Sequence, residues 1–284
     1  MQKLLFPLLL LSFISSFAQI DSLVVPDKKP TEQNIWQRFT YDGLTAYQGI
    51  KYSYSRPFHW QKDDFVKLGA FVGSEFIIYS MDTNINRYFS EQDEDAPQAL
   101  KQIGWYSGSP QNTYMAMGAV YLTGLVTNNQ KIRRTGVLMI TSASAAGLLQ
   151  TVTKTVVGRA RPKEGLGKHE FEFFSDKAGF HSFPSGHSIL TFTLAHALAK
   201  QFDSWWVKGG IYGFGLIAPV SRLWDGAHWA TDVTTGIVLS IVTVDAVDRF
   251  LNAEEKYDVP GKKPKNVTWH FKAGLGTVGF VGVF

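Results

Sequence analysis

The chain of 284 residues carries 28 Lys and Arg against 24 Asp and Glu, a formal net charge of +4, and it contains no cysteine. That length suffices for one domain with a sizeable core plus terminal extensions. The missing cysteines exclude a disulfide framework, a thiolate metal site and a lipidated cysteine; the basic excess is too mild to call for nucleic acid as a partner.

Residues 1–18 read M-Q-K-L-L-F-P-L-L-L-L-S-F-I-S-S-F-A. An early lysine, an apolar run from Leu4, and small Ser16 and Ala18 around Phe17 predict an export signal cleaved before Gln19, with the mature protein in the periplasm or envelope. Residues 19–60 predict an extended, aromatic-rich leader. Pro26 and Pro30 interrupt its first half, while Tyr41, Tyr47, Tyr52, Tyr54, Phe58 and Trp60 crowd its second. The main domain, expected over 61–253, begins with a helical pattern at 63–81, after which the acidic run E-Q-D-E-D-A-P at Glu91 reads as a solvated loop. Apolar positions at helical period then predict helices over 111–126, 131–157, 188–202, 207–220 and 228–251. The result is an all-α bundle of about six core helices.

Only residues 135–153 approach the roughly 20 uncharged residues that a bilayer span requires, and mean hydropathy is -0.06. A bundle resting on a membrane surface is expected, rather than one built through it. Residues 254–284 turn charged, then glycine-rich and β-like. They predict a short strand pairing with the aromatic N-terminal segment.

Three stretches carry chemistry. Lys154 to Pro162 reads K-T-V-V-G-R-A-R-P, residues 184–187 read P-S-G-H, and residues 221–232 read S-R-L-W-D-G-A-H-W-A-T-D. Lys154 and Arg161 are seven apart, so on a helix they face the same way, and Pro162 should leave Arg161 at or just past the helix end. In the second stretch, Ser185 can offer its hydroxyl, Gly186 lets the backbone come close, and first-turn N–H groups point at an anion. In the third, Asp225 reads as the N-cap of a helix holding His228 in its first turn, with Asp232 stacked one turn on against one ring nitrogen. Arg222 is then expected in the preceding loop, its planar fork free for two phosphate oxygens.

Taken together, these stretches resemble the signature of the type 2 phosphatidic acid phosphatase (PAP2) superfamily, which includes bacterial acid phosphatases and vanadium haloperoxidases. The pattern K-x6-R-P, P-S-G-H, S-R-x5-H-x3-D is met at every fixed position between 154 and 232, under a third of the chain. The resemblance implies a metal-independent phosphatase without cofactor, acting on a phosphorylated lipid or a small phosphate ester. It implies that His228 is the nucleophile oriented by Asp232, that His187 is the general acid and base, and that Lys154, Arg161, Ser185, Gly186 and Arg222 bind the phosphate. Competing readings are a soluble broad-specificity acid phosphatase, a vanadate-dependent haloperoxidase, and a non-catalytic exported anion-binding protein. The segment 163–181, with Glu170, Phe171, Phe173, Phe174 and Phe180, reads as a lid. Arg159, Asp225 and Trp229 adjoin the motifs and are assigned no catalytic part.

Overall fold

The computed structural model describes residues 34–258, 268–274 and 277–283. The export signal predicted for 1–18 and the first part of the leader lie outside the described residues. Among those described, nine helices follow one another: α1 (Ile35–Ser55), α2 (Lys62–Glu91), α3 (Gln98–Ser107), α4 (Pro110–Val126), α5 (Gln130–Val157), α6 (Gly186–Ala199), α7 (Trp205–Gly215), α8 (Ile217–Trp224) and α9 (Ala230–Ala253). A hairpin of β1 (Thr268–Gly274) and β2 (Thr277–Val283) closes the order. The fold is the expected all-α bundle with a short β tail.

Helix α5 packs against α1, α4, α6 and α9. Its Val137, Leu138, Met139 and Ala143 meet Met117 and Tyr121 of α4, Leu190 and Ala197 of α6, and Val244, Val247, Phe250 and Leu251 of α9. Each large apolar side chain so enclosed stabilises the fold by about 1.5–3 kcal/mol. By contrast, α2 buries Asp82 alone, leaving Phe65, Val66, Val72, Phe76 and Ile77 exposed.

Helix α1 stands where an extended leader was expected. Asn34 accepts the Gln37 N–H at 2.9 Å while the Gln37 side chain accepts the Asn34 N–H at 3.0 Å, a reciprocal cap that starts the helix. Its buried face reads Asp42, Thr45, Gly49, polar and small, so no apolar stripe marks it in the sequence. Asp42 accepts the hydroxyls of Tyr121 at 3.0 Å and Tyr257 at 2.6 Å and lies 3.2 Å from Arg133 Nε, which ties α1 to α4, α5 and the chain beyond α9.

Three further expectations are corrected. Helix α2 runs on to Glu91 rather than stopping near 81, and α3 follows the acidic turn. The single helix expected over 207–220 is two, α7 and α8, meeting at Leu216. The tail pairs with itself: β1 and β2 are antiparallel, with Thr268 opposite Val283 and Gly274 opposite Thr277. The N-terminal segment, being helical from Ile35, offers it no strand edge.

Candidate active site

One cleft of about 420 Å³ receives the end of α5, the start of α6, the end of α8 and the turn before α9. Lys154, Arg161, Gly186, His187, Arg222 and His228 line it, together with Lys163, Glu164, Trp105 and Gly108. Four cations against one carboxylate suit a multiply charged anion.

Helix α5 ends at Gly158, in the left-handed region at φ 56°. A Cβ there would lie 1.7 Å from the Glu172 carbonyl oxygen, so only glycine allows this crossing. Beyond it the chain is extended, and Arg161 sits past the helix as the following proline requires. The same-face helical argument for Lys154 and Arg161 therefore does not apply. What brings them together is the His181 carbonyl, which accepts from Lys154 Nζ at 2.8 Å and from Arg161 at 3.1 Å. Arg161 also donates to Ala178 O at 3.1 Å and Ala227 O at 2.8 Å.

The third stretch folds differently from its sequence reading. Arg222 lies in the last turn of α8, not in a loop, and pairs with Asp225 at 2.6 Å while facing the Trp105 ring. Asp225 does not cap α9. It and left-handed Gly226 close α8, with Gly226 N donating to Leu223 O at 3.1 Å and Ala227 N to Arg222 O at 3.0 Å. Helix α9 then starts only at Ala230, so His228 precedes it. Asp232 is on its first turn, accepting the Trp229 N–H at 2.8 Å.

His228 and Asp232 nevertheless meet, Nδ1 to Oδ2 at 3.7 Å, just beyond a hydrogen bond. The other ring nitrogen, Nε2, lies 3.5 Å from the Arg161 guanidinium. Arginine can only donate, so Nε2 is the acceptor and the ring proton belongs on Nδ1, toward Asp232. Asp232 is fully buried and held by Arg159 at 2.6 Å and Ser182 at 2.5 Å.

Burial lowers both imidazoles far below the usual histidine value. His187 falls to about 4, with Arg222, Lys154 and Arg161 adding to the effect. His228 falls to about 3, against the opposing pull of Asp232. Burial and Arg161 likewise bring Lys154 down to about 8. Burial alone would raise the Asp232 carboxyl, but His228, Arg159 and Ser182 outweigh it and hold it below the ordinary range. At neutral pH the empty cleft thus presents two uncharged imidazoles among charged cations.

His187 sits in the first turn of α6, its ring tilted at 41° against Trp105 with centroids 5.5 Å apart and bonded to the Trp105 backbone, with buried Nε2 left without a partner. Gly108 closes over it so tightly that a Cβ would come within 2.4 Å of the ring. Gly108→Ala is therefore expected to push the imidazole off its position. It should destabilise the fold by about 1–3 kcal/mol and cut turnover of a phosphate ester at least tenfold, by about 1.4 kcal/mol or more in the barrier. Thermal unfolding and steady-state rates on one preparation check both.

Lys154, Arg161, Gly186, Arg222, His187 and His228 converge as the sequence suggests, and Asp232 stands directly behind. Ser185 does not line the cleft: it is fully buried, and its hydroxyl caps α6 by accepting from Ser188. Of the segment 163–181, Lys163, Glu164, Ala178 and Gly179 rim the cleft, while Phe173 and Phe174 point to solvent at 69% and 73% exposure. Trp229 is buried and donates to Ala160 O at 2.8 Å. His196 joins a separate network with Asp245 and Lys200, and His169 bonds Tyr79. The sequence reading missed Arg159, which touches Asp232 from behind, and Asp82, which holds the other arm of that guanidinium. An aspartate in the apolar run of α2 was the one available signal.

Residues 135–254 match the PAP2 superfamily. The chain is 34% identical over 104 residues to a lipid A 1-phosphatase of Rhizobium etli, covering 36% of this chain and 44% of that protein. It is 29% identical over 119 residues to an undecaprenyl-diphosphatase of Sulfolobus acidocaldarius, covering 42% and 56%. The chain thus spans about half the length of the curated relatives it matches. Among solved structures, the crystal structure of Aquifex aeolicus LpxE is similar at 17% identity and a TM-score of 0.46, over 60% of this chain and 95% of that one.

Proposed function

Because residues 135–254 belong to the PAP2 superfamily, we propose that the chain is a phosphatase of phosphorylated lipids, cleaving phosphate monoesters or diphosphates through a phosphohistidine. The observation that carries this reading is the single cleft in which His228 Nε2, backed by Asp232, faces the same space as His187 and four cations. The names of two relatives, a lipid A 1-phosphatase and an undecaprenyl-diphosphatase, support a lipid phosphate as the substrate.

In this mechanism Lys154, Arg161 and Arg222 hold the phosphoryl oxygens, and the first-turn N–H groups of Gly186 and His187 add to the cradle. The bound dianion raises the pKa of His187, so that its Nε2 carries a proton. His228 Nε2 attacks phosphorus, the bond from phosphorus to the leaving oxygen breaks, and that oxygen takes the His187 proton. Water then attacks the phosphohistidine while His187 accepts its proton. The P–N bond breaks, and phosphate leaves with His228 neutral again. Asp232 stabilises the positive imidazole throughout.

The surface supports contact with lipid. Phe65, Val66, Phe76 and Ile77 of α2, Met115 of α4, and Trp205 and Trp206 of α7 are exposed, more apolar surface than a chain surrounded only by water usually shows. Helices α5 and α9 are long and apolar enough to cross a bilayer, yet about half of the most apolar 18-residue stretch of each is buried in the bundle (56% and 50%), as in a core helix. We read the protein as membrane-associated and, with the signal predicted at 1–18, as acting in the envelope outside the cytoplasm.

The test is phosphate release by purified full-length protein in detergent, offered phosphatidate, undecaprenyl diphosphate, lipid A or p-nitrophenyl phosphate across pH with excess EDTA. Release should persist, with the lipids preferred. As pH rises through about 8, Lys154 loses its proton in the empty cleft, so anion capture weakens and kcat/KM should fall. A kcat/KM still climbing above pH 9 overturns the reading, as does the absence of release from every substrate.

A further inference from the structure

We infer that Arg159, anchored by Asp82, is a positioning residue for the nucleophile: it fixes the Asp232 carboxylate against which His228 is aimed. This rests on the phosphohistidine reading above. Arg159 reaches Asp232 Oδ1 at 2.6 Å and Asp82 Oδ2 at 2.7 Å, with its side chain 3% exposed and both aspartates at 0%. Asp82 is in turn fixed by the start of α9, accepting the Thr231 N–H at 3.1 Å and the Thr231 hydroxyl at 2.6 Å. The rings of Tyr79, Trp229 and Phe171 surround the guanidinium at 5.1, 5.4 and 6.0 Å, leaving it one orientation.

Geometry gives the arrangement its purpose. Oδ2 of Asp232 faces His228 and also holds the Ser182 hydroxyl and the Trp229 N–H. Oδ1, on the far side, is left to Arg159. The carboxylate is thereby gripped at both oxygens, and a planar fork that spans two aspartates sets its angle as no single ammonium could. Arg159 does not line the phosphate cleft, so it acts on the substrate only through Asp232 and His228.

Charge follows from the same contacts. His228 is faced by Lys154 from α5, Arg161 from the loop beyond it, His187 from α6, Arg222 from α8 and Asp232 from α9, with Asp82 and Glu75 of α2 behind. Removing the Arg159 charge leaves Asp82 and Asp232 uncompensated and makes His228 easier to protonate. Removing the Asp82 charge acts in the opposite sense.

Arg159→Gln, Arg159→Lys and Asp82→Asn are compared with the native full-length protein and His228→Ala on p-nitrophenyl phosphate. Arg159→Gln is expected to lower kcat at least tenfold with KM within about twofold. It should also move the acid limb of kcat/KM to higher pH, whereas Asp82→Asn should move it to lower pH. Arg159→Lys should recover part of kcat. Should Arg159→Gln fail to fold, the Arg159→Lys loss in kcat at constant KM and the Asp82→Asn shift decide the matter. Native-like kcat and an unmoved acid limb in these variants overturn the inference while leaving the phosphatase reading intact. An inactive native protein, or an active His228→Ala, overturns the reading beneath it instead.

Discussion

Replacing His228 by alanine is expected to lower phosphate release by at least about 10⁴-fold, the scale on which covalent catalysis collapses when its nucleophile is deleted. Affinity for a phosphate analogue such as vanadate or tungstate should change little, because Lys154, Arg161 and Arg222 remain in the cleft and Arg161 keeps its three carbonyl partners. Folding should survive as well. Asp232 retains Arg159, Ser182 and the Trp229 N–H, so truncation strands no buried charge. Quenching the native enzyme during turnover of a labelled substrate should yield an acid-labile, base-stable phosphoprotein with its label on His228, absent from the variant. Label on His187 or on a serine would reverse the assignment, and equal loss of binding and turnover would make His228 part of the clamp rather than the attacking group.

Elements with long, mostly apolar runs were legible from sequence: α4, α5 and α9 begin and end within two residues of their expected bounds, and α6 within three, close to the ordinary uncertainty of helix ends. Helix α1 was not, because what it buries is Asp42, Thr45 and Gly49, and only the tertiary partners Arg133, Tyr121 and Tyr257 make that face a core face. The anion cleft was readable as residue types at fixed gaps. Its geometry was not, since Asp225-Gly226 carries two opposite signals. Aspartate is a strong helix starter, but a glycine able to take positive φ is a stronger helix stopper, and here it closes α8. The result moves His228 off the helix and replaces a stacked pair by an approach across a turn. Arg159 was passed over for a related reason. Its partners Asp82 and Asp232 lie 77 and 73 residues away, and no local periodicity encodes a contact of that span.

Arg161→Ala should be the most damaging change in the clamp, lowering kcat/KM by about 10³-fold. A unit charge about 4 Å from a phosphoryl oxygen contributes about 4 kcal/mol at an effective dielectric near 20, and each 1.36 kcal/mol is tenfold in rate. Three features set this cation apart. It comes within 3.5 Å of His228 Nε2, where bond exchange at phosphorus would occur. Its orientation is fixed before substrate arrives by the carbonyls of Ala178, Ala227 and His181, so no reorganisation accompanies the reaction. An arginine also keeps its proton throughout the working pH range, whereas Lys154 titrates near 8. The deficit of Arg161→Ala should therefore persist from about pH 6 to 9, easing above about pH 8 only as far as Lys154, relieved of the neighbouring guanidinium, keeps its proton longer, while that of Lys154→Met shrinks toward zero above about pH 8, where the native lysine is itself discharged. Because the carbonyls left behind turn partial negative charge toward the phosphate, Arg161→Lys should restore only part of the rate: the ammonium returns the charge but cannot satisfy three acceptors and a phosphoryl oxygen together. An Arg161→Ala deficit that vanished at alkaline pH in step with that of Lys154→Met would instead mean that the two cations act as one titrating unit, with no separate role for the fixed guanidinium.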